Sequence, residues 1–153
     1  MKLDSTDKQI LDVLQRDAAL SASEIAGRLG LSSATCWRRI GQLEKSGVIR
    51  RRVALLDPPS VGLNVLIFCH IKLSTQGRDA IRKFDTAVRT LPEVLECYTL
   101  LGEWDFLLRI VARDIKSFEA FFLDQLSKLP YVQSVVSSIA LTPVKYTTEL
   151  PLN

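Results

Sequence analysis

Residues 21–52 read SASEIAGRLGLSSATCWRRIGQLEKSGVIRRR, and this stretch determines the fold predicted for the N-terminal third of the chain. It opens with Ser21–Glu24, a capping box in which the serine and glutamate side chains each bind the other's backbone N–H at a helix start. The short helix that follows ends at Gly30, and Ser32 then caps a longer helix that stops before Gly47. Two helices joined by a short glycine-containing turn indicate a helix-turn-helix.

Apolar residues at helical spacing predict a further helix before this motif and a buried stripe within it. An amphipathic first helix is expected over about residues 5–17, and the longer third helix should bury one face. The first helix carries Ile10, Leu11 and Leu14, and the third carries Cys36, Ile40 and Leu43. Because Cys36 lies on the buried stripe, we expect it to be a packing residue without a redox role.

The outward face of the third helix has the composition of a surface that reads the DNA major groove. It combines small residues, hydrogen-bonding groups and positive charge, and it lacks a carboxylate. Arg38 can donate two hydrogen bonds to a guanine, whereas Arg50–Arg52 follow the helix on an extended segment and suit phosphates. For Trp37 a half-buried packing role is an equal alternative. The candidate DNA-binding residues are Ser33, Ala34, Thr35, Trp37, Arg38, Arg39, Gln42, Arg50, Arg51 and Arg52.

The distribution of charge supports this interpretation more than the net charge of +3 does. Residues 1–57 hold 10 Lys/Arg and 7 Asp/Glu, while residues 58–153 hold 10 of each. The whole positive excess therefore lies in the N-terminal third, as expected for a phosphate-binding surface. A solvated charged face alone would explain the basic run, but it would not explain the capping, the turn and the charge together.

Composition excludes several classes of protein. With 153 residues, 47% of them hydrophobic and 24% charged, the chain can bury a core and is neither a disordered tail nor a collagen. No apolar run reaches membrane-spanning length, and the N-terminus lacks the apolar segment of a signal peptide. Three unpaired cysteines favour a reduced, cytosolic protein. No HExxH, P-loop or GxGxxG is present, so we expect no metal site and no cofactor.

An internal repeat organises the remaining residues. A strand over 64–73, a helix over 78–91 and a strand ending at Leu101 are followed by a strand from Phe106, a helix capped by Asp114 and a last strand ending near Leu141. The motif Leu-Pro-x-Val recurs 38 residues apart, at Leu91 and Leu129, each time between a helix and a strand. Two β-α-β units in tandem predict a ferredoxin-like βαββαβ domain and hence an α+β protein.

The apolar pattern of the strands predicts a homodimer. In the first strand, alternate residues from Val65 to Leu73 line one face, while Leu66 and Phe68 begin an apolar second face. Two helices cover only one face of this sheet, so the other must be buried against another subunit. We expect a helix-turn-helix domain at 1–57, a linker at 58–63 and a ferredoxin-like domain at 64–153.

These residues together resemble the Lrp/AsnC (leucine-responsive, "feast/famine") family of transcriptional regulators, whose DNA-binding domain is winged-helix-like. The resemblance extends over nearly the whole chain. Its elements are Leu3-Asp4-x-x-Asp7-x-x-Ile10-Leu11, Leu31-Ser32-x-x-x-Cys36-x-x-Arg39-Ile40-x-x-Leu43-Glu44-x-x-Gly47-Val48-Ile49 and Gly102-Glu103-Trp104-Asp105-Phe106.

Membership would imply a sequence-specific binder of double-stranded DNA whose C-terminal domains bind a small effector, commonly an amino acid. It would also imply dimers that assemble into tetramers or octamers, and a cytoplasmic, nucleoid-associated location in a prokaryote. By this resemblance Gly102, Trp104 and Asp105 form the effector turn, and Ser137 lies on the fourth strand where the family usually has Thr. Leu101 and Val135 stand where the family often has Thr, so the pocket would be more apolar than usual.

A finer resemblance points to a cysteine-responsive subgroup that controls cysteine breakdown. It is carried by Cys36–Arg39, Val53–Pro58 and Lys145–Pro151. The chemistry of the turn fits an amino acid, because Asp105 could bind an ammonium group and free backbone N–H groups could bind a carboxylate. The alternative for the turn is a plain hairpin, and for Ser137 it is ordinary strand polarity.

A different class of function stays open from the residues alone. Dimeric ferredoxin-like barrels also occur as small enzymes, and His70 or Tyr98 could act in a cavity between subunits. That interpretation leaves residues 1–57 and their arginines unexplained.

Overall fold

The computed structural model describes residues 2–152, which form two compact units. The N-terminal unit comprises residues 2–55 together with 145–152, and the C-terminal unit comprises residues 56–144. The sequence division placed everything from residue 64 onward in the second domain, so the assignment of the last residues differs. They lie against the first helix, and Leu152 packs on the core of the N-terminal unit.

Three helices build the N-terminal unit: α1 (Ser5–Arg16), α2 (Ala22–Leu29) and α3 (Ser33–Lys45). The predicted caps are present, since Ser21 and Glu24 form the capping box of α2 and the Ser32 side chain accepts from Thr35 N. A capping box at the start of α1, formed by Asp4 and Asp7, was not anticipated. The core contains the two predicted stripes joined by α2 residues: Ile10, Leu11, Leu14, Ile25, Ala26, Cys36, Ile40 and Leu43.

The chain after α3 adopts neither helix nor strand over residues 50–56. A 3-10 turn at Pro59–Val61 follows, where Gly62 takes a φ of 81°, a left-handed conformation that glycine adopts without a steric penalty.

The C-terminal unit has the predicted βαββαβ order. Its elements are β1 (Val65–Leu73), α4 (Arg78–Val88), β2 (Val94–Thr99), β3 (Phe106–Ala112), α5 (Ile115–Asp124) and β4 (Val132–Ala140). The sheet has the order β2-β3-β1-β4, and each neighbouring pair is antiparallel. This is the ferredoxin-like arrangement expected from the repeat.

Two helix predictions need correction. The second helix of the C-terminal unit, α5, ends at Asp124 rather than continuing to the motif at Leu129. A 3-10 turn over Leu126–Lys128 completes its connection to β4. Helical spacing in the sequence aligns Ile81 with Phe84 and Val88, and Ile115 with Phe118 and Phe122, as apolar stripes, but both isoleucines are exposed. In α4 the buried positions are Ala80, Phe84 and Val88, which repeat every four residues and leave Ile81 on the flank.

One face of the sheet is covered by the helices and the other is open. Strand β1 alternates regularly, with Ile67, Cys69 and Ile71 fully buried against the helices. Register places Leu66, Phe68 and Leu107 on the opposite face, where each is only partly buried. The open face within this unit therefore carries the incompletely buried apolar residues that the strand pattern predicted, together with His70 and the Arg109–Glu96 ion pair.

Candidate nucleic-acid interface and effector site

Hydrogen bonds at its start hold the N-terminal half of helix α3 in a defined orientation. Ser32 Oγ accepts a hydrogen bond from Thr35 N at 3.2 Å, and the two hydroxyl oxygens are 2.8 Å apart. The hydroxyls of Ser23 in α2 and Ser33 in α3 lie 3.2 Å apart, which links the starts of the two helices. These contacts and the fully buried Cys36 fix which residues of α3 face solvent.

The predicted reading face is exposed. Trp37 is 74% exposed, so within this unit it is not the half-buried packing aromatic that the sequence left as an alternative. Arg38 is exposed and donates to Gln42 Oε1 at 3.3 Å. Solvent also reaches Ser33 and Ala34, while Thr35 is partly buried. This surface offers a large aromatic ring, a guanidinium and an amide side by side, with no acidic group among them.

Arg39 is next to Arg38 in the sequence but is partly buried against the start of α1. Its Nη1 donates to Asp4 Oδ2 and to Asp7 Oδ1, both at 2.7 Å. The side chains of Arg39 and Asp7 are only 22% and 11% exposed. The backbone hydrogen bond from Asp7 and the Arg39 guanidinium hold the pKa of Asp4 below its ordinary value. We therefore correct the prediction that Arg39 contacts DNA: it ties the start of α1 to α3.

The arginine triplet also divides into two groups. Arg50 and Arg51 are exposed and form no ion pair within residues 2–152. Arg52 is held by Glu44 Oε1 at 3.0 Å and lies 3.4 Å from the carbonyl oxygen of Ala18. Arg50 and Arg51 are thus available for phosphates, whereas Arg52 must first leave Glu44.

The two adjacent arginines of α3 make a matched pair of variants. We expect Arg39→Gln to lower the free energy of unfolding by about 2 kcal/mol, because it leaves the buried Asp7 carboxylate without its charged donor. Arg38→Gln removes an exposed side chain and should change stability by less than about 0.5 kcal/mol. Urea titration followed by circular dichroism measures both. Equal effects of the two substitutions would contradict the positioning role of Arg39.

In the C-terminal unit, the predicted effector residues lie around the β2–β3 turn. Leu100 N donates to Asp105 O at 2.9 Å, which closes the turn, and Gly102 at its tip has a φ of 152°. Trp104 packs against His70, with ring centroids 5.8 Å apart. The turn is therefore fixed at its base, while its tip from Leu101 to Glu103 is exposed.

Asp105 is occupied by the protein's own groups. Its Oδ2 accepts from Leu73 N at 2.8 Å and its Oδ1 from Gln76 Nε2 at 2.9 Å, with Lys72 Nζ 3.6 Å away. Its backbone N–H donates to Ile71 O at 3.0 Å. The carboxylate that the sequence suggested for an ammonium group thus has a structural role, because it anchors the turn to the end of β1.

Ser137 is not brought into direct contact with this turn. It pairs with Cys69 in the β1–β4 ladder, and its hydroxyl lies 3.3 Å from Cys69 Sγ. Sequence reasoning missed Lys72, whose Nζ donates to the carbonyl oxygen of Glu103. A lysine near the end of an otherwise apolar strand was the available signal.

Two clefts lie elsewhere in the molecule. One of about 500 Å³ runs along α5, and one of about 460 Å³ lies within the N-terminal unit. None of the four predicted effector residues lines either cleft. Leu101, Gly102 and Glu103 at the tip of the turn are exposed to solvent in the single chain.

The structural role of Asp105 predicts a measurable loss of stability. Asp105→Ala should lower the free energy of unfolding by about 1–3 kcal/mol, because the partly buried Leu73 N–H loses its acceptor. Ser137→Ala, at an exposed edge-strand position, serves as the control and should change it by less than about 0.5 kcal/mol. Urea unfolding at neutral pH measures both. If Asp105→Ala left the free energy of unfolding unchanged, the carboxylate would have no structural role and would again be a candidate for binding the effector.

The groups proposed for an enzyme have ordinary structural partners. His70 stacks obliquely on Trp104, and the Tyr98 hydroxyl donates to Glu96 at 3.0 Å. Among residues 2–152, no cluster of three or more His, Cys, Asp or Glu side chains could hold a metal ion. In the same residues, no helix has the length and apolar character needed to cross a membrane.

Comparison with known proteins assigns both units. A model described as "Winged helix-turn-helix DNA-binding" matches residues 3–50, and one described as "Lrp/AsnC ligand binding domain" matches residues 66–150. The chain is 36% identical to the DNA-binding transcriptional activator DecR of Escherichia coli K12, over 98% of this chain and 99% of that protein.

Two solved structures extend the match. A transcriptional regulator from Neisseria meningitidis, crystallised as a complex with L-Met, superposes with a TM-score of 0.95 at 42% identity, covering 99% of this chain and 98% of that one. An AsnC family transcriptional regulator from Agrobacterium tumefaciens gives a TM-score of 0.93 at 42% identity, covering 98% and 97%.

Proposed function

The chain belongs to the Lrp/AsnC family of DNA-binding transcriptional regulators, a non-enzymatic family, and we propose that α3 reads an operator whose occupancy is set by an amino-acid effector. The observation that carries the proposal is the exposed, carboxylate-free face of a capped helix. Trp37 and Arg38 project from it, and hydrogen bonds at the helix start and the Arg39 bridge hold it in place.

Within this proposal the basic residues have separate roles. Arg38 and Gln42 contact base edges, because a guanidinium and an amide can each make paired hydrogen bonds there. Arg50 and Arg51 contact phosphates on the flanking backbone, which adds affinity without sequence preference. The remaining candidates, Ser33, Ala34 and Thr35, lie at the end of the helix that approaches the groove first.

The effector we propose is an α-amino acid with an apolar or sulfur-containing side chain. The relative from N. meningitidis was crystallised with L-Met, and the exposed Leu101 makes this turn more apolar than the family's usual threonine would. Cysteine stays a candidate through the subgroup resemblance. Since Asp105 and Lys72 both have partners within the chain, the exposed backbone groups of the turn are the available polar contacts, and a second subunit completes the pocket.

A direct binding experiment tests the function. Fluorescence anisotropy on DNA from upstream of the protein's own gene should give site-preferring binding that weakens at least tenfold between about 50 and 200 mM salt. Arg38→Ala should weaken specific binding by about 1–3 kcal/mol and spare binding to random DNA. Repeating the titration with methionine, cysteine and leucine identifies the effector. The lack of any preference over random DNA in the unmodified protein would refute the proposal.

We also propose that the open sheet face forms a homodimer, which would supply two reading helices for a two-fold operator. The support is the incomplete burial of Leu66, Phe68 and Leu107 on a face that no helix of this unit covers. Tetramers or octamers of such dimers, and a cytoplasmic, nucleoid-associated location, stay predictions from the family resemblance.

A single charge on that face should separate the subunits. Phe68→Asp should shift sedimentation velocity from dimer to monomer. The Arg109 opposite it is already paired with Glu96, so the new carboxylate would be buried in the interface without a cation of its own, which costs several kcal/mol. Lys116→Asp, at an exposed position of α5, is the control and should leave the dimer intact. Circular dichroism must show that both variants fold. A Phe68→Asp protein that sediments as the parent does would place the interface elsewhere.

A further inference from the structure

The C-terminal segment 145–152, called the clasp here, is bound to the DNA-binding unit by specific contacts. The carboxamide of Gln15 in α1 pairs with the backbone of Leu150 in both directions: Gln15 Nε2 donates to Leu150 O at 3.0 Å, and Leu150 N donates to Gln15 Oε1 at 2.8 Å. The side-chain amide of Gln15 thus supplies the donor and the acceptor that a neighbouring strand would otherwise offer to the backbone N–H and C=O of Leu150. The backbone of Leu150 is therefore bonded on one side as in a sheet.

Charge and apolar contacts extend the same attachment. Arg16 Nε donates to Glu149 Oε2 at 3.1 Å, and Leu152 packs against the helical core. The clasp also lines the cleft of the N-terminal unit together with Leu11, Leu14 and the segment after α3. Contacts of three kinds over four residues show a fitted segment rather than a tail lying by chance on the surface.

These contacts are individually weak. The Gln15 and Arg16 bonds are solvent-exposed, and Leu150 itself is 68% exposed. Exposed hydrogen bonds and ion pairs add little net stability because water competes for the same groups. We therefore expect the removal of one such contact to loosen the clasp without unfolding the helices.

The path of the chain makes the clasp a second connection between the two units. The chain leaves the N-terminal unit after Leu55, passes through the C-terminal unit, and returns after Val144. The two units are consequently joined by two chain connections, and β4, which ends at Ala140, is only four residues from the clasp. A unit tethered at one point can swivel, whereas a second tether restricts its orientations.

We propose that the clasp determines operator specificity by restraining the orientation of the DNA-binding unit, and thereby the spacing at which two reading helices can bind. The inference rests on the proposed dimeric DNA reading. Attachment of the clasp makes the protein discriminate between half-site spacings, and its detachment relaxes that discrimination. The clasp residues do not touch DNA; they position the helices that do.

The test compares Gln15→Ala with Gln9→Ala, a matched substitution on an exposed position of the same helix. Leu150→Pro is the second clasp variant, since proline has no N–H to donate to Gln15. Each full-length protein is titrated by anisotropy against duplexes carrying one half-site, located by footprinting, or two half-sites whose centres are separated by a series of distances. Circular dichroism checks that all variants fold.

For the parent and Gln9→Ala, we expect affinity to fall at least about tenfold when the spacing changes by half a helical turn, about five base pairs. For both clasp variants the fall should be less than about threefold, with unchanged affinity for a single half-site. Unchanged spacing dependence in the clasp variants, or a loss of single-site affinity, would overturn the inference. A parent that binds without regard to spacing also overturns it while leaving the proposed function intact; a parent that binds no site at all refutes both.

Discussion

The placement of α3 against α1 depends on one bridge, the contact of Arg39 with Asp4 and Asp7. The two aspartates form the capping box of α1. Arg39 lies on α3, the helix whose exposed face is the predicted reading surface. A single guanidinium thus satisfies two carboxylates and joins the first helix to the third. Because α3 carries Trp37 and Arg38 on the adjoining positions, a shift of α3 against α1 would re-aim both side chains at once. The bridge fixes the direction of the reading surface, while the apolar core beneath it provides most of the stability.

Neighbouring basic residues consequently have unlike roles, and charge alone does not distinguish them. Arg38 and Arg39 differ by 100° around α3, which turns one to solvent and the other to the aspartates of α1. Arg51 and Arg52 also differ in their partners, because only Arg52 forms an ion pair, with Glu44. The basic excess of the N-terminal third therefore overstates the number of free cations. Only basic side chains without an acidic partner in the chain can bind phosphate without first breaking an ion pair.

Local patterns predicted most of the fold, and long-range contacts explain what they missed. The capping box at Ser21, the turn at Gly30 and the repeated Leu-Pro-x-Val motif each depend on residues a few positions apart, and all appear where expected. The Arg39 bridge joins residues 32 and 35 positions apart, and Asp105 binds Leu73 N from 32 positions away. A motif identifies such a residue as important without identifying its partner, so both were assigned to ligands that lie outside the chain. The family resemblance pointed to the turn as a functional feature, and the hydrogen bonds of Asp105 give its carboxylate a structural role.

The occupied carboxylate of Asp105 and the open sheet face lead to one conclusion about how a signal could reach DNA. With Asp105 held by Leu73 and Gln76, the β2–β3 turn, our proposed effector site, is anchored to the end of β1, and β1 is paired along its length with β4. A ligand that binds the exposed tip of the turn therefore acts on a rigid element, and it changes function only if it binds one arrangement of subunits better than another. The strand at the far side of that sheet, β4, leads through four residues into the clasp on α1. The sheet is thus connected to the N-terminal unit at both of its ends: covalently by the linker before β1, and after β4 by the clasp, which is attached to α1 through hydrogen bonds and an ion pair.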